Sequence, residues 1–316
     1  MGIKLLNRFL RGNCHSAIEK HSLSMLRGKT ITVDTMIYMY RFAGEGSAID
    51  GFYSMISAFQ KNDITPIFIF DGKPPEEKNE VLKKRKVEKA EAERDYKELA
   101  TKLKTAEDAE DVADIKSEMD VLRKRFIRVK RSDISAVKEL MQLMGAFYVE
   151  AQGEADELCA KLVVKRKAFA CLSEDMDMFV YGCPKVLRYL SLLNETVVVY
   201  TQKDILDVLK ITQEEFTQIA VLAGTDYNQN TDRQCDLHQA LRMFAKYRRA
   251  GENQGFFEWI EDTDAVPDYC ALVNARFMFR LDNIILPPEC KKRPTARKAP
   301  VQELHEFLRH YGFIFA

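Results

Sequence analysis

Five apolar runs of this chain end in carboxylates, and their number and spacing point to one kind of chemistry. The runs read TITVD to Asp34, TPIFIFDG with Asp71, AFYVEAQGEAD with Glu154 and Asp156, FACLSEDMD with Asp175 and Asp177, and IAVLAGTD to Asp226. In an open parallel sheet, ligands bind outside the carboxyl ends of the strands, so acids placed there converge on one pocket. Seven carboxylates cannot stay ionised side by side without cations, because like charges a few ångströms apart raise each other's pKa. Hard divalent cations with oxygen ligands resolve the conflict, Mg²⁺ first and Mn²⁺ as its substitute. A carboxylate pocket holding two such ions is a device for phosphodiester hydrolysis. None of the five histidines, at 15, 21, 238, 305 and 310, lies in these runs, and the chemistry needs none as a base.

The first four runs have the look of strands: short, rich in Ile, Val, Phe and Tyr, and bounded by turn residues. The pattern predicts strands near 30–34 and 66–70, one reaching Val149, one through AFACLS, and a strand or hairpin over 186–200. Helices are predicted over 3–10, through Tyr38 to Phe42 until GEGS at 44–47, and over 50–61. More follow at 133–144, through Leu158 and Leu162, and over 202–209, 213–223, 236–249, 255–261 and 301–310. This alternation over the first 200 residues predicts an α/β fold with a central, mainly parallel sheet flanked by helices. From Glu76 to Lys130 there is no Gly or Pro, and good helix formers dominate. Composition leaves two readings of that stretch, a solvated helical hairpin or a functional arm. Lys78 and Arg85 lie seven residues apart in it, two turns of one helix face.

Hydrophobic residues make up 46% of the 316, enough for a sizeable core. The balance of 48 basic and 48 acidic residues is not that of a strongly basic nucleic-acid binder. Once the seven acids are neutralised by metal, the remaining surface is net basic. Positive charge is also blocked together, as KKRK at 83–86, RKRFIRVKR at 123–131 and KKRPTARK at 291–298. Seven cysteines with no CxxC form neither a disulfide framework nor a zinc set. No run reaches the length of a membrane span and no secretory signal opens the chain. The expectation is an intracellular soluble protein, in the nucleus or at a cytoplasmic replication site, and no membrane partner.

The residues carry a more specific signal. MGI, VDTMIYMY at 33–40, FIFDGKPP at 68–75, KKRKVEKAEAER at 83–94, LMGAFYVEAQGEADELCA at 143–160, SEDMDMFVYG at 173–182 and LAGTDY at 222–227 together resemble the flap endonucleases, structure-specific 5′ nucleases of replication and repair. The order is kept from residue 1 to about 227. The resemblance implies one PIN-like nuclease domain over 1–316, with a helical arch insertion at 74–132 and a mainly helical, duplex-binding region at 201–316. It implies two Mg²⁺ ions, one group of ligands at Asp34, Asp71, Glu154 and Asp156, the other at Asp175, Asp177 and Asp226. Lys78 and Arg85 match the basic pair that holds the scissile phosphate, and Tyr40 the aromatic on which a base stacks. Gly2 matches a glycine whose backbone nears the DNA. Other DNA contacts are expected from Lys124, Arg125 and Arg128 in the arch, and from Arg242, Lys246 and Arg248. The implied substrate is DNA with a 5′ flap, nick, gap or recessed end, cut by a monomer.

The chain departs from the family pattern at several points. Asp156 stands where the family usually has Glu. The segment between Tyr40 and Asp71 is short, where the family has an insertion that opens the duplex junction. NQNTDRQCDLHQAL follows Asp226 in place of a glycine-paired hairpin. The arch carries an acidic stretch at 105–114. The sequence stops at FIFA, so recruitment by a sliding clamp through a C-terminal motif is not expected. Two alternatives stay open: a related 5′ nuclease tuned to other DNA structures or RNA, and a catalytically weak DNA-binding scaffold.

Overall fold

The computed structural model describes residues 3–75, 78–103, 109–228, 235–251, 254–263, 268–291 and 299–315. Seven strands form one sheet: β1 (Ile18–Ser22), β2 (Thr30–Asp34), β3 (Thr65–Phe70), β4 (Phe147–Glu150), β5 (Ala170–Leu172), β6 (Lys185–Ser191) and β7 (Thr196–Thr201). Their order is β1-β7-β6-β5-β2-β3-β4. β6, β5, β2, β3 and β4 run parallel, while β7 is antiparallel to both β6 and β1. The chain winds outward from β2 through β3 to β4, then returns to lay β5 on the other side of β2. That reversal makes a crevice between β2 and β5 at their carboxyl ends.

Strand side chains alternate between the two faces. Ile67 and Ile69 of β3 belong to one buried cluster and Phe68 and Phe70 to the other. The first face is covered by α1 (Leu6–Asn13), α7 (Ala155–Val164), α8 (Asp177–Val180) and α9 (Gln202–Leu209); α10 (Gln213–Leu222) packs on α8, and α11 (Leu237–Ala250), α12 (Phe256–Asp262) and α13 (Tyr269–Met278) pack on α10, extending the same buried cluster. The second is covered by α2 (Thr35–Glu45), α3 (Ala48–Lys61), α6 (Arg131–Leu143) and α14 (Val301–His310). Burial on both faces is why β3 reads as an unbroken apolar run after Thr65 and why Thr32 of β2 is buried as well as Ile31 and Val33.

Local signals set the helix limits. Ser47 caps α3 by accepting from the Asp50 amide, and Thr212 with Glu215 forms a capping box at α10. The arm holds α4 (Asn79–Leu103) and α5 (Ala109–Arg125), which runs back along it. Tyr96 meets Phe126 edge-on, and Glu93 accepts from both Lys97 and Arg128. Among the described residues of the arm, the helical reading agrees with the structure.

Several elements escaped the sequence pattern, among them β1, α13 and the short helix α8. β1, with sequence IEKHS, has no apolar run; it is a strand through its antiparallel pairing with β7, Ile18 opposite Tyr200. The α13 stretch has apolar residues around its circumference and no clear helical stripe. Among the described residues, no helix is long and apolar enough to cross a membrane.

Candidate functional site

The seven carboxylates meet at the carboxyl ends of β2, β3, β4 and β5. Asp34 is the last residue of β2 and Asp71 follows β3 directly. Glu154 is the N-cap of α7, with Asp156 in its first turn. Asp175 and Asp177 follow β5, and Asp177 opens α8. Asp226 arrives from a helix rather than a strand, in the turn beyond α10. Asp34, Asp175, Asp177 and Asp226 are buried.

Neutral donors hold the cluster in place. Ser173 Oγ donates to Asp34 Oδ2 at 3.1 Å and accepts from the Asp175 amide at 3.1 Å, tying β2 to the β5 loop across the crevice. The Asp177 amide donates to Asp175 Oδ1 at 3.0 Å. Asp71 Oδ1 accepts from the Ala155 amide at 2.8 Å, at the positive end of α7. The loop carrying Asp71 lies against the one leading to Glu154: the Gly72 amide donates to Gly153 O at 2.7 Å and the Lys73 amide to Gln152 O at 3.2 Å. A Cβ at position 72 would stand 2.1 Å from Ala151 O, so only glycine permits this approach. From behind, buried Arg188 on β6 donates to Glu174 O at 2.9 Å and to Asn7 Oδ1 at 2.7 Å, bracing the loop that bears Asp175.

Crowding shows in the protonation energetics. Burial, then repulsion from Asp71, pushes the Asp34 carboxyl up to about 7. Burial likewise holds Asp156 and Asp177 well above the usual carboxylate range, reinforced by Asp34 and by Asp175 respectively. Asp71 and Asp175 are raised, again chiefly by burial. Glu157, beside the cluster, is pushed to about 7 by burial and then Glu154.

Two cations from the arm enter this field. Lys78 Nζ lies 2.8 Å from Glu154 Oε1 and 2.7 Å from Oε2. Burial opposes the Lys78 charge, yet Glu154 outweighs it and holds the ammonium above its usual value. Arg85 donates to Asp226 Oδ2 at 2.6 Å. Among the described residues, no three acidic, His or Cys side chains stand close enough to grip an ion in this arrangement; Glu154 and Asp226 spend oxygens on Lys78 and Arg85. Asp156 Oδ1 and Asp177 Oδ1 are buried with no hydrogen-bond partner. Such oxygens are costly to leave unpaired, and one belongs to each of the two ligand groups expected from the sequence. All seven donors are hard oxygens, and the set fits divalent cations of the Mg²⁺ type.

Arg85 also borders a second cavity of about 650 Å³ between the arm and α2. Tyr40, Lys89, Lys124, Arg125 and Arg128 line it, with Ile37, Leu82 and Ile127 as apolar floor. Lys89 Nζ lies 4.6 Å from the Tyr40 ring centre. Burial and the charges of Arg85 and Arg128 lower the Lys89 pKa. Arg242, Lys246 and Arg248 are elsewhere, exposed on α11, and Arg248 pairs with Glu215 at 3.2 Å. Gly2 lies outside the described residues. Ser173, Gly72, Arg188 and Tyr227 support the site but were not singled out from sequence. Three of them sit inside the motif stretches, which was the available signal; Arg188, in the middle of a strand, gave none.

Known proteins resemble this chain in sequence and in fold. Residues 1–92 match the XPG N-terminal domain and residues 145–226 the XPG I-region. The chain is 30% identical to Flap endonuclease 1 of Zea mays, over 92% of this chain and 78% of the relative. It is 28% identical to Flap endonuclease 1 of Meyerozyma guilliermondii, over 99% and 86%. Among solved structures, the catalytic core of Rad2 in complex with DNA substrate superposes with a TM-score of 0.65 at 19% identity, covering 95% of this chain and 92% of that one. Flap endonuclease-1 from Methanococcus jannaschii superposes at 0.58 and 22% identity, over 94% and 91%. At these identities the structural likeness concerns the fold.

Proposed function

The chain belongs to the flap endonuclease family, and from that premise we propose that it is a divalent-metal-dependent, structure-specific 5′ nuclease. It hydrolyses DNA phosphodiesters near junctions of single and double strand, at 5′ flaps and from 5′ ends. One observation carries this reading: seven carboxylates gathered at the β2–β5 crevice, with two arm cations reaching into them. Asp34, Asp71, Glu154 and Asp156 are assigned to one metal and Asp175, Asp177 and Asp226 to the other. When bound there, two Mg²⁺ or Mn²⁺ ions supply charge to the phosphoryl oxygens and lower the pKa of water toward neutrality.

The chain's own residues do the rest. Lys78 and Arg85, paired with Glu154 and Asp226 in this arrangement, exchange those carboxylates for the scissile phosphate. Lys78 offers a point charge and Arg85 a planar fork as negative charge develops. Tyr40 takes the face of the neighbouring base, and Lys124, Arg125 and Arg128 hold the backbone along the arm cavity. Lys78, buried beside Glu154, acts where little bulk water screens its charge. The arm at 74–132 and the helical region from 201 are assigned to the single strand and the duplex respectively. Only two residues join α2 to α3, which favours a second reading on substrate: recessed and nicked ends cut as readily as flaps.

The test is cleavage of end-labelled 5′-flap, nicked, gapped and recessed DNAs side by side, in Mg²⁺ and in EDTA, by the wild type and Asp177→Ala. Metal-dependent cutting at the flap junction, lost in the variant with DNA binding kept, is the expected result. Equal cutting of recessed ends selects the second reading. Binding without cutting of any substrate sinks both.

A further inference from the structure

We propose that Tyr227 is a positioning residue for cleavage: it anchors Glu154 while Lys78 exchanges that carboxylate for a phosphate. The proposal rests on the assignment of Glu154 as a metal ligand. The Tyr227 hydroxyl donates to Glu154 Oε2 at 2.7 Å, and its ring centre lies 4.7 Å from Lys78 Nζ. A single side chain thus touches both members of the ion pair that must separate. When Lys78 turns to substrate, Glu154 keeps one fixed donor. Without the hydroxyl, its carboxylate would swing on two methylenes in a field of like charge.

Tyr227 is itself well held. Its hydroxyl lies 3.1 Å from that of Tyr181. With the Tyr227 proton on Glu154, Tyr181 is the donor in that pair. Phe279, just past α13, packs 5.2 Å from the Tyr227 ring centre and 5.0 Å from that of Tyr181. The orientation of Glu154 is therefore set from α8 and from the C-terminal helices, not only by its own loop.

Tyr227→Phe keeps the ring, its contact with Lys78 and its packing on Phe279, and removes only the hydroxyl. The proposal is tested on the full chain by three measurements: single-turnover cleavage of a 5′-flap DNA, affinity for that DNA in EDTA, and Mn²⁺ binding to the protein alone by electron paramagnetic resonance. A carboxylate that loses its supporting hydrogen bond typically costs about 10- to 100-fold in metal affinity or rate. The expected result is a fall of that size in cleavage and in Mn²⁺ affinity, with DNA affinity within about twofold and an unchanged melting temperature. Tyr181→Phe, which leaves the Tyr227–Glu154 bond, should lose less. Wild-type cleavage and Mn²⁺ affinity in Tyr227→Phe would overturn the proposal, as would losses matched by a fall in melting temperature. Asp177→Asn run alongside separates the two levels. If it is dead while Tyr227→Phe is wild type, only the role of Tyr227 fails; if it cuts normally, the metal assignment fails and this proposal with it.

Discussion

Replacing Asp34 by Asn should make the metal-free protein more stable at pH 8 while abolishing cleavage. Asp34 is buried, and its carboxyl is pushed from 3.8 up to about 7 by burial and by Asp71. A pKa raised on folding means that the folded state holds the proton more tightly than the unfolded one. The resulting cost is absent below the unfolded value, grows as pH rises through the interval, and is complete above the folded value. At 1.36 kcal/mol per pH unit, it is under about 2 kcal/mol at pH 5 and about 4 kcal/mol at pH 8. Asn is close to isosteric and its carbonyl still accepts from Ser173, so the variant removes the charge and little else. It also relieves Asp156, which Asp34 pushes up. For a chain of this size about 2 °C of melting temperature accompanies each kcal/mol. Thermal unfolding in EDTA should therefore place Asp34→Asn several degrees above wild type at pH 8, with the gap shrinking toward pH 5. Mg²⁺ should raise the wild-type midpoint at pH 8 and do much less for the variant, because a ligand stabilises only the state it binds. A variant melting at or below wild type at pH 8 in EDTA, or a gap that widens on acidification, would refute the reasoning.

Three further outcomes are expected. Gly72→Ala drives a Cβ to 2.1 Å from Ala151 O and 2.6 Å from Gln152 O; it should lower stability by at least about 1–3 kcal/mol and slow cleavage by displacing Asp71, as calorimetry and flap cutting would show. Lys78→Ala and Arg85→Ala should each slow single-turnover cleavage by about 10²-fold with little change in DNA affinity; losses confined to affinity would make them ordinary phosphate contacts. Tyr40→Ala should weaken binding of a 5′-flap DNA by about 1–3 kcal/mol in fluorescence anisotropy at fixed salt, whereas Tyr40→Phe should not.

The candidate site was legible in the sequence to an unusual degree, because strand-end acids announce themselves. A short β-rich run stopped by an acid predicts both the strand and the end at which the acid lies; Asp34 and Asp71 follow from that, whereas Asp175 and Asp177 lie beyond Ser173 and Glu174 and needed the motif as well. The spacing of Lys78 and Arg85 predicted one helix face, and both side chains reach the cluster, Lys78 from just before α4 and Arg85 from its second turn. Other features depend on pairs distant in sequence, which no local pattern encodes. β1 is a strand only through its pairing with β7, nearly 180 residues away. Ser173 ties Asp34 to Asp175 only because β5 returns beside β2. Gly72 is required because the Gln152–Gly153 backbone passes against it. Likewise, Tyr227 meets Glu154 and Lys78 only when the turn after α10 folds over α7. Residue types determined which chemistry this chain can do; the tertiary fold decided how those groups are braced and paired, because burial and hydrogen-bond geometry exist only between segments that folding brings together.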